Sequence, residues 1–334
     1  MTVANDPQFD FHSLSPDCIL DAVESLGVYP ETGLLPLNSY ENRVYQFRAE
    51  DSRRYVVKFY RPQRWSEACI REEHQFAHEL ADAEVPVAAP KRIDGETLFE
   101  HQGYRFALWD SVGGREFEVD NLDQLEQVGQ FLGRMHQVAK GGQFQHRPKL
   151  TLDTHGWQPK QVLQQQAQLP MHIETAFFTV LEQVLDQVAK APWQSMPTQR
   201  LHGDMHPGNI LWTPDGPGFV DLDDARTGVA VQDLWMMLAG DRSQQLLQLD
   251  ILLEGYETFC DFDHSQLQLI EPLRALRMVH YLSWLTLRWC DPAFPRNFPW
   301  FGSDRFWEEQ VLALKEQLSA LQEAPISLNQ GLNY

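Results

Sequence analysis

The sequence predicts an α+β chain in two lobes, an antiparallel sheet plus one helix in front and a mainly helical part behind. Three observations carry this. Short runs rich in β-branched and aromatic residues crowd residues 1–109. From residue 110 onward the apolar spacing is mostly that of amphipathic helices. Between the two lies Ser111-Val112-Gly113-Gly114, where the character changes, so a hinge is expected near 109–114. The expected lobes are therefore 1–109 and 110–334.

The elements follow in order. Residues 16–26 read as a short helix with Ser15 as N-cap and Gly27 as stop. Strands are expected over 33–37, 43–48 and 55–60. A helix is expected over 66–83, ended by the prolines from Pro86 to Pro90. Two more strands are expected near 97–100 and 104–109. In the back lobe, Leu125, Val128, Phe131, Leu132 and Met135 give 122–138 a helical period. Residues 141–157 are polar and loop-like, 176–188 are helical, and 200–222 hold a strand, a loop and a hairpin. Nearly everything after Val229 reads as helix.

Composition bounds the function. Of 334 residues, 43% are hydrophobic and 22% charged, the balance of an ordinary globular chain able to bury a core. The formal net charge of -20, with no basic run, sets aside nucleic acid and anionic membrane as partners. Glu271, Arg274, Arg277, His280 and Arg288 interrupt the most apolar stretch, 267–290, which argues against a membrane span. The stretch 1–11 is polar and acidic, unlike a signal peptide. Cys18, Cys69, Cys260 and Cys290 are scattered, so neither a disulfide framework nor a zinc site is expected. A cytoplasmic chain is the expectation, with a monomer as the working assumption.

The strongest chemical signal is Leu201-His202-Gly203-Asp204-Met205-His206-Pro207-Gly208-Asn209-Ile210-Leu211. His202, Asp204 and Asn209 stand at the H-x-D-x-x-x-x-N spacing of a phosphoryl-transfer catalytic loop. Two apolar runs follow, 210–213 and 218–221, with Pro214-Asp215-Gly216-Pro217 between them. A hairpin there would fold Asp221 back beside Asn209. Mg2+ prefers hard oxygen ligands and takes only one or two from protein when phosphates supply the rest. Asp204 could then accept a hydroxyl proton during transfer. Taken singly, Asp and Asn in a Gly- and Pro-rich loop are ordinary turn formers; the set with the hairpin is what points to chemistry.

The front lobe supplies an independent test. Phosphoryl transfer in such lobes uses a strand Lys on the phosphates and a helix Glu that holds the Lys. Val56-Val57-Lys58-Phe59-Tyr60 places Lys58 in a strand. In the next helix Cys69, Ile70, Phe76, Ala77 and Leu80 share a face, and Glu73 falls in its middle. Glu72 falls at its edge and Glu79 points away. A carboxylate centred on an apolar face is costly unless paired, and Lys58 is the natural partner. No G-x-G-x-x-G or Walker sequence is present. The turn Asn38-Ser39-Tyr40-Glu41-Asn42 could offer a hydroxyl and backbone N–H groups to a phosphate.

Together these stretches resemble the aminoglycoside phosphotransferase and choline kinase-like family, a branch of the protein-kinase-like fold. Residues 37–45, 56–62, 84–87, 201–212, 219–226, 231–235 and 291–295 carry the resemblance, in order, over nearly the whole chain. Within the family they are similar to a bacterial serine/threonine protein kinase. The resemblance implies ATP and Mg2+ as cofactors, Asp204 as proton acceptor, and Asn209 and Asp221 as Mg2+ ligands. It places Ser39 at the nucleotide phosphates and makes Lys58 and Glu73 the lobe-bridging pair. It also implies a protein Ser or Thr hydroxyl as acceptor and Asp233 as a brace for the catalytic loop, although a plain helix-terminal acid would look the same.

The chain departs from eukaryotic protein kinases. Gly203 stands where an Arg usually precedes the catalytic Asp, and Asp221-Leu222-Asp223 replaces D-F-G. Only nine residues separate Asp223 from Asp233, too few for a phosphorylatable activation loop. The roles of Asp223 and Asp224 stay open, with Arg226 a candidate partner. So does the acceptor: a small-molecule kinase of the same fold, acting on a sugar, amino alcohol or aminoglycoside, and a non-catalytic nucleotide-binding regulator are the alternatives. The aromatics Trp284, Trp289, Phe294, Phe298, Trp300, Phe301 and Trp307 would line a substrate cleft or, more ordinarily, fill a core.

Overall fold

A computed structural model describes residues 11–328. The acidic N-terminal stretch therefore lies, except for Phe11, outside the described residues. Contacts group the chain into two units, and the grouping is not contiguous. One unit is strand-rich and holds residues 11–117, 144–147 and 207–225; the other is helical and holds 118–143, 148–206 and 226–328. Residues 207–225 thus group with the strand-rich unit although they lie beyond the boundary expected at 109/110.

The strand-rich unit begins with α1 (Pro16–Glu24), where the Ser15 side chain caps the Cys18 N–H and Pro16 opens the first turn. Gly27, at φ +75°, follows its end. Five strands form an antiparallel sheet in the order β1-β2-β3-β5-β4. They are β1 (Leu35–Pro36), β2 (Arg43–Arg48), β3 (Arg54–Phe59), β4 (Phe99–His101) and β5 (Tyr104–Asp110). Between β3 and β4 runs α2 (Glu67–Asp82), capped by Ser66. The β4–β5 turn carries Gln102 at φ +50° and Gly103 at φ +83°, the twist-matched geometry of a two-residue hairpin. That turn pairs His101 with Tyr104 and sets β4 slightly later than its composition suggests. Phe47, Val57, Phe59, Phe106 and Leu108 pack with Ile19 and Val23 of α1 on one side of the sheet.

A second, three-stranded sheet in this unit has the order β6-β8-β9, with β6 at Arg115–Glu116, β8 at Ile210–Thr213 and β9 at Gly216–Phe219. Here the hairpin is tighter than expected. Thr213 pairs with Gly216, so Gly216 and Pro217 belong to a strand rather than to the turn. The Thr213 hydroxyl closes that turn, accepting the Asp215 N–H at 3.1 Å and donating to the Gly216 carbonyl at 2.9 Å. Pro217 is tolerated because β9 is the last strand of its sheet.

The helical unit contains α3 (Leu122–Ala139), α4 (Gln158–Gln166), α5 (Met171–Val188), β7 (Gln199–Leu201), β10 (Arg226–Gly228), α6 (Gln232–Trp235), α7 (Arg242–Glu257), α8 (Ile270–Arg288), α9 (Ala293–Asn297) and α10 (Asp304–Ala320). Strands β7 and β10 pair antiparallel. Helix α5 starts before 176, directly after Pro170; its first turn mixes the exposed Met171 with His172 and Glu174 and buries only Ile173, which weakens the apolar period there. Phe177, Leu181 and Leu185 of α5 pack with Leu276 and Val279 of α8 and the fully buried Trp307 of α10. Phe294 is also fully buried, with Trp284 4.9 Å away, and Phe298 is buried; Trp284, Trp289 and Phe301 are half-buried and Trp300 is exposed, so the C-terminal aromatics are only partly core. No described helix is long and apolar enough to cross a membrane.

Helices α3 and α7 meet at glycines. A Cβ added to Gly133 would stand 2.3 Å from the Tyr256 carbonyl oxygen, and one added to Gly129 2.2 Å from that of Leu252. Backbone cannot yield as a flexible side chain can. Gly133→Ala is expected to lose about 1–3 kcal/mol in urea unfolding through overpacking. Gly33→Ala, with nothing within 4 Å of the added carbon, is expected to be near neutral. Equal midpoints for the two variants would refute the close approach.

Candidate active site

The strand-rich unit encloses a cavity of about 400 Å³, lined entirely by its own residues. Val44, Val56, Trp109, Leu211 and Val220 make it apolar. Ser39, Lys58, Glu73, Asn209 and Asp221 also line it, so five residues singled out from the sequence share one cavity. A single cavity with apolar walls and a few convergent polar groups is the usual form of a small-ligand site.

Lys58 is its charged centre. Strand β3 buries it, and α2 brings Glu73 to it because Glu73 sits among Ile70, Phe76 and Ala77 on the buried face. The Lys58 ammonium lies 3.3 Å from Glu73 Oε1, 3.2 Å from Asp223 Oδ1 and 3.6 Å from Asp221 Oδ1. Burial alone would discharge it, but the carboxylates of Asp223 and Glu73 outweigh burial and raise its pKa well above the ordinary value. Lys58 therefore stays a cation.

Asp223 was left without a role by the sequence, and its surroundings explain why it matters. Its carboxylate pairs with Lys58 and with Arg64, which also holds Asp224 at 2.9 Å. Burial would raise the Asp223 pKa, yet the charges of Arg64 and Lys58 hold it at about 2. Arg147 completes the frame: its Nε donates to the Ala225 carbonyl at 2.7 Å, its Nη2 donates to the Asp223 carbonyl at 2.5 Å, and its Nη1 lies 3.7 Å from Glu73. The neighbouring carboxylate has a different task. Glu72 accepts the backbone N–H groups of Gln145, His146 and Arg147 at 2.6–2.8 Å, which ties down the segment that carries Arg147.

Asn209 and Asp221 are held by the β8–β9 hairpin. Its register continues one step past the strands, with the Val220 N–H donating to the Asn209 carbonyl at 3.0 Å. Asp221 follows at φ +63°, a left-handed conformation unusual for a residue other than Gly. Its side chain is 54% exposed, while Asn209 is buried.

Asp204 does not line this cavity; it belongs to the helical unit. Asp233 shapes the backbone leading to it. The buried Asp233 carboxylate accepts the N–H groups of His202 and Gly203, each at 2.8 Å, and lies 3.1 Å from His136 Nε2. Gln232 Nε2 donates to the Gly203 carbonyl at 3.1 Å. Gly203 is at φ +88°, which accounts for a Gly at this place rather than an Arg. Asp204 Oδ1 lies 2.5 Å from Arg277 Nη1, and Oδ2 lies 3.5 Å from His206 Nε2. Burial acts to raise the Asp204 pKa, but His206 and Arg277 overcome it and hold the carboxyl well below its usual range.

The sequence reading did not single out Arg64, Arg147 or the Arg277–Asp204 pair. Asp223 and Asp224, which Arg64 holds, lie 159 and 160 positions away from it, and no local period marks them. For Arg147 the one available signal was Glu72, a second acid beside Glu73 at the edge of a buried face.

A sequence model of the phosphotransferase enzyme family, abbreviated APH, matches residues 33–270. The chain belongs to that family. Curated relatives agree with this phosphotransferase over almost their full length. "Stress response kinase A" of Salmonella choleraesuis is 52% identical over 324 residues, 97% of this chain and 98% of that protein. The "Serine/threonine protein kinase RdoA" of Salmonella typhimurium gives the same figures. "Stress response kinase A" of Escherichia coli K12 is 51% identical over the same span. The phosphotransferase is thus a kinase. Among solved structures, an amicoumacin kinase in complex with AMP-PNP and Ca2+ superposes with a TM-score of 0.71 at 17% identity, covering 93% of this chain and 95% of that one. A spectinomycin phosphotransferase gives 0.67 at 13% identity, over 92% of this chain and 98% of its own. At such identities the likeness shows the fold, and it is the protein-kinase-like fold expected from the sequence.

Proposed function

We propose that this kinase transfers the γ-phosphoryl group of ATP, with Mg2+, to a Ser or Thr hydroxyl of a protein. The observation that carries the reading is the convergence of Ser39, Lys58, Glu73, Asn209 and Asp221 on one cavity. The apolar walls suit a nucleobase. Lys58, locked as a cation by Glu73 and Asp223, suits the phosphates, with Ser39 offering a hydroxyl to them. Ser/Thr specificity is supported by the name of the relative that matches 97% of the chain.

The donor set at the cavity fits Mg2+. Asn209 and Asp221 present hard oxygens, and no described group of three or more His, Cys, Asp or Glu forms a closed metal cage. Mg2+ binds in this open manner, through one or two protein oxygens plus phosphates and water. When bound it neutralises phosphate charge.

Asp204 would receive the acceptor. Held ionised by Arg277 and His206, its carboxylate accepts the hydroxyl's hydrogen bond and orients the oxygen for attack. The oxygen–phosphorus bond forms as the bridge between the β- and γ-phosphates breaks. ADP leaves, and the hydroxyl proton passes to the Asp204 carboxylate.

A second reading is a small-molecule kinase, because an aminopropanol kinase shares the fold with a TM-score of 0.69. Incubation with γ-labelled ATP, Mg2+ and a generic protein acceptor tests the leading one. Labelled phosphoserine or phosphothreonine, lost on chelation with EDTA and regained with Mg2+, is expected. Undiminished transfer after chelation would refute the metal, and absence of protein label would refute the acceptor.

A further inference from the structure

Helix α8 buries Leu273, Leu276, Val279 and Leu282 and turns Arg277 outward, with 45% of its side chain exposed. Arg274, one turn earlier, is committed elsewhere: Glu271 balances it at 3.2 Å, and it lies 5.1 Å over the Trp235 ring. Arg277 instead pairs with Asp204, the residue proposed to receive the acceptor hydroxyl. A cation is thus fixed beside the reacting hydroxyl in a chain whose net charge is -20. His206 Nε2 lies 3.5 Å from Asp204 on the other side of its carboxylate, and His280, three residues after Arg277 on α8, stacks on His155 at 4.7 Å. His155 in turn contacts Arg226.

This arrangement opposes the general attraction of an acidic protein for amines. An acceptor with an ammonium beside its hydroxyl would find the Asp204 charge already taken and a guanidinium in its way. When the hydroxyl proton passes to Asp204, that carboxyl becomes neutral and Arg277 loses its counter-ion. An anionic group on the acceptor restores the balance. A guanidinium has five N–H donors, so it can hold such a group while keeping Asp204.

We propose that Arg277 forms an anion subsite for the acceptor, selecting Ser or Thr hydroxyls flanked by an acidic side chain over those flanked by a basic one. The proposal rests on the protein-kinase reading given above.

The test is a library of Ser and Thr peptides with Glu or Lys at each flanking position, assayed with γ-labelled ATP and Mg2+. Wild type, Arg277→Gln and Arg277→Glu are compared as full chains. The wild type is expected to favour the best acidic peptide over its basic counterpart by about tenfold or more in kcat/KM, chiefly through KM. The ratio should collapse toward unity in Arg277→Gln and reverse in Arg277→Glu. A reversal cannot come from a merely damaged fold. A wild type indifferent to flanking charge, or a preference unchanged in both variants, would overturn the subsite and leave the protein-kinase reading standing. Failure of the wild type to label any peptide would overturn that reading, and the subsite with it.

Discussion

Asp204→Asn loses phosphoryl transfer by at least about a hundredfold while nucleotide affinity stays at the wild-type value. The amide keeps the shape of the carboxylate but cannot take the hydroxyl proton, and general-base contributions are commonly about 10²–10⁴-fold. Affinity is expected to hold because Asp204 is not among the residues lining the cavity. The fold should tolerate the change, since Asp204 and Arg277 are 26% and 45% exposed and the released guanidinium can be hydrated. Parallel measurements of label transfer and of nucleotide binding by calorimetry check this. Transfer within a few-fold of wild type would remove Asp204 from the mechanism. Loss of transfer with nucleotide binding kept would also set aside the regulator alternative, which has no need of Asp204.

Lys58→Met should be damaging twice over. It removes the cation proposed to hold the phosphates, and loss of one preorganised charge contact typically lowers turnover by about 10²–10³-fold. It also leaves Glu73 and Asp223 as buried carboxylates without their shared partner. Breaking a buried pair from one side costs about 3–5 kcal/mol, and the lower end is expected here because Arg64 still holds Asp223 and Arg147 stands near Glu73. Urea midpoints and nucleotide titrations give the two effects separately. A double-mutant cycle with Glu73→Gln sharpens the point. If the pair acts as described, Glu73→Gln added to Lys58→Met recovers stability instead of losing more. Simple additivity would mean that the 3.3 Å contact carries no coupling.

Much of this was legible because the signals were local. Strand β2 falls over Arg43–Arg48, the strand-like run expected there, and Glu73 is buried as its place among Ile70, Phe76 and Ala77 requires. The return of Asp221 toward Asn209 followed from two apolar runs around a turn. The turn itself was misplaced, because the Thr213 side chain closes it in a way composition does not reveal. What stayed hidden was long-range. Arg64 and Arg147 reach Asp223 and Glu73 across 74 to 159 positions, and Arg277 reaches Asp204 across 73. Each is an ordinary surface-type residue until the fold delivers it to a carboxylate. Burial of Arg64 and Arg147 is the cost that makes their pairing informative, and it arises only once the chain is folded.

The most direct test of the central claim is a competition in one tube. Wild-type protein, γ-labelled ATP and Mg2+ are mixed with a Ser- and Thr-containing protein acceptor and an amino alcohol at equal hydroxyl concentration. The label is then assigned by acid hydrolysis and phosphoamino-acid separation. Label recovered as phosphoserine or phosphothreonine, and absent with Asp204→Asn, is the predicted result. Label recovered only on the amino alcohol would contradict it and make the chain a small-molecule kinase.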